Sequence, residues 1–368
     1  MPHLGKIGST QDLRVIDSSD AAVTGGLSFW VDNASIVSVS PQGVLTYKSP
    51  GVVRVYVRSG AYRDSILMQS IRGFDVSPTG ITGTGLAVAA LNSQGWIAAW
   101  RSTPAENFLW RPTIGVTNLP CAPVDLNDKG QVLCNAWIWE NGDTSRIAGA
   151  PGAAYKINEA GEIAGMAPGS KPYLWTPSGV TTYTTGAYRI AGMNEKGDIT
   201  FVGFTGYPGM FIQKRNSSVV NIAGLYDPVY GGAFASDSGF VAGMDELGRS
   251  APGARAAVWR PKGTGVERVI IGARLATAPS YQAIGAGGAA LSVNDSGYVV
   301  GYVTGTTGYP FLWSSIVGGG PTPLSQLTTQ SGWAFSSNTM RINNAGQIAL
   351  VGSGTGVAQG IQLLTPKH

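Results

Sequence analysis

The sequence predicts an all-β chain: a small sandwich over residues 1–72, followed by a seven-bladed β-propeller over residues 73–368. Three observations predict it. A short group of residues, KINEAGEIAG at Lys156, recurs in seven copies, and a repeat of this kind is the signature of stacked or circular architectures. The composition is turn-rich and weakly charged: of 368 residues, 53 are Gly, 12% are charged and 9% are aromatic, with no long apolar run to span a membrane. No window sustains a 3.6-residue apolar period, so almost no helix is expected.

Taken from the amino terminus, MPHLGKIGSTQDLR carries no apolar core and no cleavage site, so it does not read as a secretory signal. From about Leu13 to Ile71 short strands alternate. Ile36 to Val39 leads to a turn at Pro41-Gln42-Gly43. Val44 to Thr46 follows, then a turn at Pro50-Gly51 and a strand through Val53, Val55 and Val57. Strands at this spacing within about 60 residues indicate a sandwich. Residues 72–89, rich in Gly and Thr, read as a linker into the first blade.

The repeats begin at Ala90 (ALNSQGWIAA). They return at Asp125, Lys156, Gly192, Ala235, Ser292 and Arg341. In N-x-x-G the Asn side chain can bond backbone N–H groups two or three residues on, and the Gly supplies a positive φ for a turn plus bulge. Each unit then offers an aromatic-aliphatic strand: FLW at Phe108, WIW at Trp137, YLW at Tyr173, MFI at Met210, AVW at Ala257, FLW at Phe311 and IQLL at Ile361. A fourth run follows in several units, such as Val180 to Tyr183 and Val266 to Ile271. Four short strands over roughly 42 residues make one propeller blade. The Trp residues at 110, 139, 175, 259 and 313 are expected between blades, because a Trp buries a large flat surface. The fifth unit has Ser236 in the Asn position, with Asp237 able to serve the turn. An insertion is expected near Ala273 to Gly288. The seventh unit stops at its third strand, and residues around 66–80 are placed to supply the fourth.

Two resemblances follow from these words. Trp30 to Val57 resembles the bacterial immunoglobulin-like group 2 domain, which implies an Ig-like sandwich acting as a spacer or adhesive module on bacterial surfaces and phage virions. The later units resemble the HAF repeat, an extracellular-type repeat whose biochemical role is poorly defined.

Little in the chain suggests chemistry. His3 and His368 are the only histidines, which argues against His-based acid–base work, a Ser-His-Asp triad or a His-rich metal site. The acids Asp128, Glu159, Glu162, Glu195, Asp198, Asp237 and Asp295 fall in the hairpin turns and read as solvated faces. Glycoside hydrolysis needs two carboxyls converging on one bond. Asp125, Asn127, Asp128 and Gly130 hint at a calcium loop but lack its closing Glu. Cys121 and Cys134 flank the second hairpin and could pair, though their register is imperfect. No phosphate-binding Gly loop is present, and a charge of +4 without a basic cluster argues against nucleic acid.

Binding is expected on the loops between second and third strands. Tyr207, Tyr309, Lys171, Arg249 and Arg255 are the candidate contacts, although each Gly-Tyr-Pro can equally start a strand. The expectation is a protein that is not an enzyme and has no cofactor, metal or catalytic residue. It would be a structural or attachment component of a phage virion, in tail or capsid surface, or of a bacterial surface. Its partners would be other virion or surface proteins, met through the Ig-like domain in an oligomeric assembly, and a host glycan or protein. No membrane insertion is expected. A multivalent carbohydrate-binding lectin and a propeller glycan hydrolase are the alternatives.

Overall fold

The structure is a computed structural model. It describes residues 3–368 apart from 16, 18–21, 205–207, 216–218, 222–233, 237, 246–254, 263–264, 272–287, 304–308 and 315–320. Nearly all the described secondary structure is strand. One helical turn, Leu324–Leu327, is the only helix among the described residues.

Residues 3–71 make two sheets. One orders the strands His3–Lys6, Tyr62–Ile71, Gly51–Ser59 and Leu27–Val31; the other orders Thr10–Asp12, Val44–Tyr47 and Val37–Val39. Their facing side chains form one core of Val37, Leu45, Tyr47, Val53, Val55 and Met68. The alternation read through Val53 and Val55 points those residues inward, as a half-buried strand requires. Trp30, the first residue of the Ig-like resemblance, lies on the outer face instead. It is 38% exposed and stacks on Tyr56 with ring centroids 5.2 Å apart.

Seven four-stranded antiparallel sheets follow. Their first strands are Leu86–Leu91, Asp125–Leu126, Ala153–Ile157, Ala187–Met193, Phe234–Ala235, Gly288–Val293 and Ala334–Ile342. The aromatic-aliphatic words are the third strands, as their spacing predicts. The seventh sheet takes its fourth strand from Gly73–Thr82, which pairs with Val357–Lys367. The Gly/Thr-rich stretch is therefore largely a strand rather than a linker, and residues 66–71 stay in the sandwich. Borrowing this strand covers a row of N–H and C=O groups that would otherwise be an open edge.

The second Gly of the repeat has a packing reason. Gly165 lies opposite Tyr173, and Gly301 lies opposite Phe311. A Cβ on Gly301 would stand 2.1 Å from the Ala289 carbonyl oxygen and 2.8 Å from the Phe311 ring. Trp110, Trp139, Trp259 and Trp313 are buried, whereas Trp175 is only half-buried and donates from Nε1 to the Ala148 carbonyl at 2.8 Å.

Cys121 and Cys134 are joined by a disulfide with Cα atoms 5.8 Å apart. The expected insertion near Ala273 to Gly288 lies almost wholly outside the described residues.

The two parts share a core. Leu4, Ile71 and Phe74 pack with Leu291, Tyr298, Leu312 and Met340 of the sixth and seventh sheets. Lys6 Nζ donates to the carbonyls of Gln326 at 2.6 Å and Thr328 at 3.2 Å, and Arg72 N–H donates to the Lys367 carbonyl.

Candidate functional site

All seven turns are built alike. The closing Gly of each has φ between +71° and +84°, a region an L side chain enters only under strain. That Gly donates its N–H to the carbonyl of the turn's first residue. The Asn Oδ1 accepts from the N–H four residues on, at 2.8 Å in Asn92 and 2.9–3.0 Å in Asn127, Asn158, Asn194, Asn294 and Asn343. The expected reach was two or three residues. The Gly bulge lengthens it by carrying the chain past the turn before the next strand begins. At Asn92, Asn194 and Asn294 the same oxygen also takes the N–H two residues on. In the fifth unit the Ser236 hydroxyl accepts from Phe240 by itself; Asp237 lies outside the described residues.

The turns are also bonded to one another. Asn92 Nδ2 donates to the Asn127 carbonyl, Asn127 to that of Asn158, Asn294 to that of Asn343, and Asn343 back to that of Asn92 at 2.8 Å. One residue on, the N–H groups of Ser93, Asp128 and Glu159 donate to the carboxylates of Asp128, Glu159 and Glu195 in the next sheet. The Asp295 N–H donates to the side-chain amide oxygen of Asn344, and the N–H of Ser238, two residues past Ser236, donates to the carboxylate of Asp295. Six of the seven joints between turns are bonded in this way, and at the remaining one, between the fourth and fifth sheets, the first strands are in contact.

This corrects the reading of the turn acids as solvated faces for the described acids other than Glu195, which is exposed while it accepts its bond; Asp237 lies outside the described residues. Asp128, Glu159, Glu195 and Asp295 tie neighbouring turns together. Glu162 and Asp198 are only 7% and 8% exposed. Arg215 donates to both oxygens of Glu162, while its backbone N–H and Lys214 Nζ donate to Asp198. Burial pushes the Asp198 carboxyl up, but the bonds from Lys214, Arg215 and Asn194 together hold it below the usual range.

Two residues before each turn Asn, along the edge strands, the repeat builds a second ring. A cavity of about 170 Å³ is lined there by Ala90, Asp125, Lys156, Gly192, Ser292 and Arg341. Asp125 Oδ2 accepts from the Ile157 N–H at 3.0 Å, and its Oδ1 lies 3.5 Å from Lys156 Nζ. Arg341 donates to the carbonyls of Ala89 and Met340 at 2.9 and 2.8 Å. Burial lowers the Lys156 ammonium below the usual lysine range; Asp125 opposes this, while Arg341 and Arg189 add to it. Burial likewise lowers Arg341 to about 10, opposed by Asp125 and reinforced by Arg189. These residues were missed in the sequence. The signal was available in the register: where neighbouring positions repeat an aliphatic residue, this one reads Ala, Asp, Lys, Gly, Phe, Ser, Arg.

The expected loop contacts are placed differently. Arg255, exposed Lys171 and half-buried Tyr309 each begin the third strand of a different sheet. Tyr309 packs against the core holding Phe311 and Trp313. Tyr207 and Arg249 lie outside the described residues. Among the described residues no group of three or more His, Cys, Asp or Glu is placed to hold a metal ion.

No family model matches the chain, and no curated protein matches it. Among solved structures it is similar to virginiamycin B lyase from Staphylococcus aureus, at 9% identity and a TM-score of 0.41, covering 79% of this chain and 99% of that one. It is also similar to a gluconolactonase from Xanthomonas campestris, at 10% identity and 0.39, covering 80% and 90%. A third is the β-propeller domain of the Trilobed protease from Pyrococcus furiosus, at 11% identity and 0.42, covering 87% and 99%. Likenesses this distant say nothing of what this chain does.

Proposed function

We propose that the seven sheets are the blades of one closed propeller, that residues 1–72 are an Ig-like sandwich docked on it, and that the later units are HAF-type repeats. The chain is a non-enzymatic structural or attachment component of a phage virion, in tail or capsid surface, or of a bacterial surface. The observation that carries this reading is the circuit of turns. Asp128, Glu159, Glu195 and Asp295 accept backbone N–H groups of neighbouring sheets, and Glu162 and Asp198 are held by Arg215 and Lys214. Acids engaged in this way serve rigidity, whereas hydrolysis of a glycan needs a pair free to face one bond. The core shared through Leu4, Ile71 and Phe74 joins the sandwich to the sixth and seventh sheets, which suits a part that transmits attachment to a particle. A host glycan or protein would be met where the third strands begin, at Lys171 and Arg255.

Quantitative mass spectrometry of purified phage particles tests the reading. The chain should be present in a fixed ratio to the other tail or capsid proteins. Its absence from particles and from isolated cell envelopes would overturn the proposal.

A further inference from the structure

We propose that the rim of the joint between the first and second sheets binds an acidic sugar of a surface glycan, held between Trp100 and Trp137. Strand alternation puts Trp100 on the face of Ala98 and Leu109, and Trp137 on the face of Cys134 and Trp139; those four belong to the core that the first two sheets share. The repeat shows that these two positions meet across a joint. Their counterparts Val351 and Phe108 pack in one core between the seventh and first sheets, and Met166 and Phe211 do so between the third and fourth.

At the first joint the pair is open. In each of the six other sheets the residue in the register of Trp137, Phe108 and Phe311 among them, is at most 7% exposed, whereas Trp137 is 45% exposed and Trp100 38%. The cause is a short hairpin. The second sheet turns at Asn135 and Ala136 after a strand of only 3 residues, Val132–Cys134, while the matching strand of the first sheet runs Ile97–Ser102 and stands clear of it. Two polar side chains flank the rings. Asn107 lies opposite Trp100 and Arg146 opposite Trp137, and opposed residues of an antiparallel pair share a face. Neither the Asn107 amide nor the exposed Arg146 guanidinium has a partner among the described residues. A sugar ring has apolar C–H faces for the indoles and a polar rim for the amide, and the guanidinium suits a carboxylate on it. The Cys121–Cys134 bridge ties down the strand opposite Trp137, so one wall is set before a ligand arrives. This deepens the attachment reading, on which it rests for the source of the glycan: Trp137 begins the third strand of its sheet, as Lys171 and Arg255 begin theirs.

The test applies the full chain to a microarray of glycans ending in uronic or sialic acid beside neutral counterparts. Calorimetric titration with the acidic glycan bound most strongly follows. Neutral glycans should bind about tenfold more weakly, the value of a hydrogen bond to a charged group. Trp100→Ala and Trp137→Ala should each weaken the titration about tenfold or more, the cost of truncating an aromatic anchor, with the fold checked by circular dichroism. Arg146→Gln should abolish the preference for acidic over neutral glycans. Trp30→Ala, on the outer face of the sandwich, should change nothing. Equal binding of neutral glycans, binding that Trp137→Ala leaves intact, or no glycan bound overturns the site. A chain that is present in particles yet binds no glycan fails here alone, because the attachment reading falls only with its absence from particles and envelopes.

Discussion

Replacing Asn343 by Ala removes one link from the circuit of turns, and the structure sets the size of the effect. The side chain is 6% exposed. Its Nδ2 donates to the Asn92 carbonyl and to Gln347 Oε1, each at 2.8 Å, and its Oδ1 accepts from the Gln347 N–H at 2.9 Å. Each such bond contributes about 1 kcal/mol net. The Asn92 carbonyl keeps the Gly95 N–H, so the loss stays near ~2–3 kcal/mol rather than rising further. Unfolding entropy near ~2.1 cal/mol/K per residue gives about 0.8 kcal/mol/K for a chain of 368 residues, so Tm should fall by ~3 °C. Asn158→Ala is the control. Its side chain bonds the N–H and carboxylate of Glu162 and makes no link to another sheet. Differential scanning calorimetry should place Asn343→Ala below Asn158→Ala by about 1 kcal/mol, the value of one bond between the seventh and first sheets. If the two variants melt together, the link contributes nothing and the reasoning from linked turns fails.

Gly301→Ala should cost about 1–3 kcal/mol from overpacking against Ala289 and Phe311, and more than Gly25→Ala, where nothing lies within 4 Å and φ is not positive; urea unfolding compares them. Asp198 titrates below its ordinary range when folded, so its contribution is present above about pH 4 and is lost as pH falls through the lower folded value. Asp198→Asn should therefore melt lower than the parent at pH 6, with the gap closing toward pH 2. Replacing Cys121 and Cys134 together by Ala should cost about 3 kcal/mol, the entropy of closing a loop of this size, read as a drop in Tm of about 4 °C; an unchanged Tm would show the bridge to be without effect.

The turns and strands were legible in the sequence because each local rule was written seven times. An Asn, a Gly at positive φ and an aliphatic pair specify a hairpin using near neighbours alone, and copies in register leave little room for another period. The aromatic third strands followed for the same reason, and so did the need for a borrowed outer strand. What escaped depended on contacts far apart in the chain. The acids looked solvated because the N–H groups they accept belong to the next unit, 31 to 57 positions away. Strand His3–Lys6 carries one buried residue, Leu4, whose partners lie near the other end of the chain. Trp30 matched a familiar word, but the strand's alternation sent its ring outward onto Tyr56. The loop candidates were chosen by residue type, and Tyr309 shows the weakness of that choice: its ring is committed to packing at the start of a strand.

The two rings arise from one repeat, and their difference in sequence has a physical cause. At the turn, the Asn must satisfy its own hairpin, and at Asn92, Asn127, Asn294 and Asn343 its neighbour too, so a residue with a short acceptor serves, and even the exception, Ser236, has one. Two positions earlier the side chain can also reach the next first strand, and residues of different chemistry do so: Asp125 accepts from the Ile157 N–H, Ser292 Oγ accepts from the Ile342 N–H, and Arg341 donates to the Ala89 carbonyl. With the folded-state value of Lys156 below the usual lysine range, the unfolded chain holds more protons in the window beneath that range, so stability rises as the solution is made more alkaline through it. Arg341, lowered to about 10 by the same burial, carries the same sign. The bond to Asp125 favours the ammonium and burial disfavours it, so what Lys156 contributes to the fold is the difference of two opposed effects, in contrast to the turn Asn, whose bonds all act in one direction.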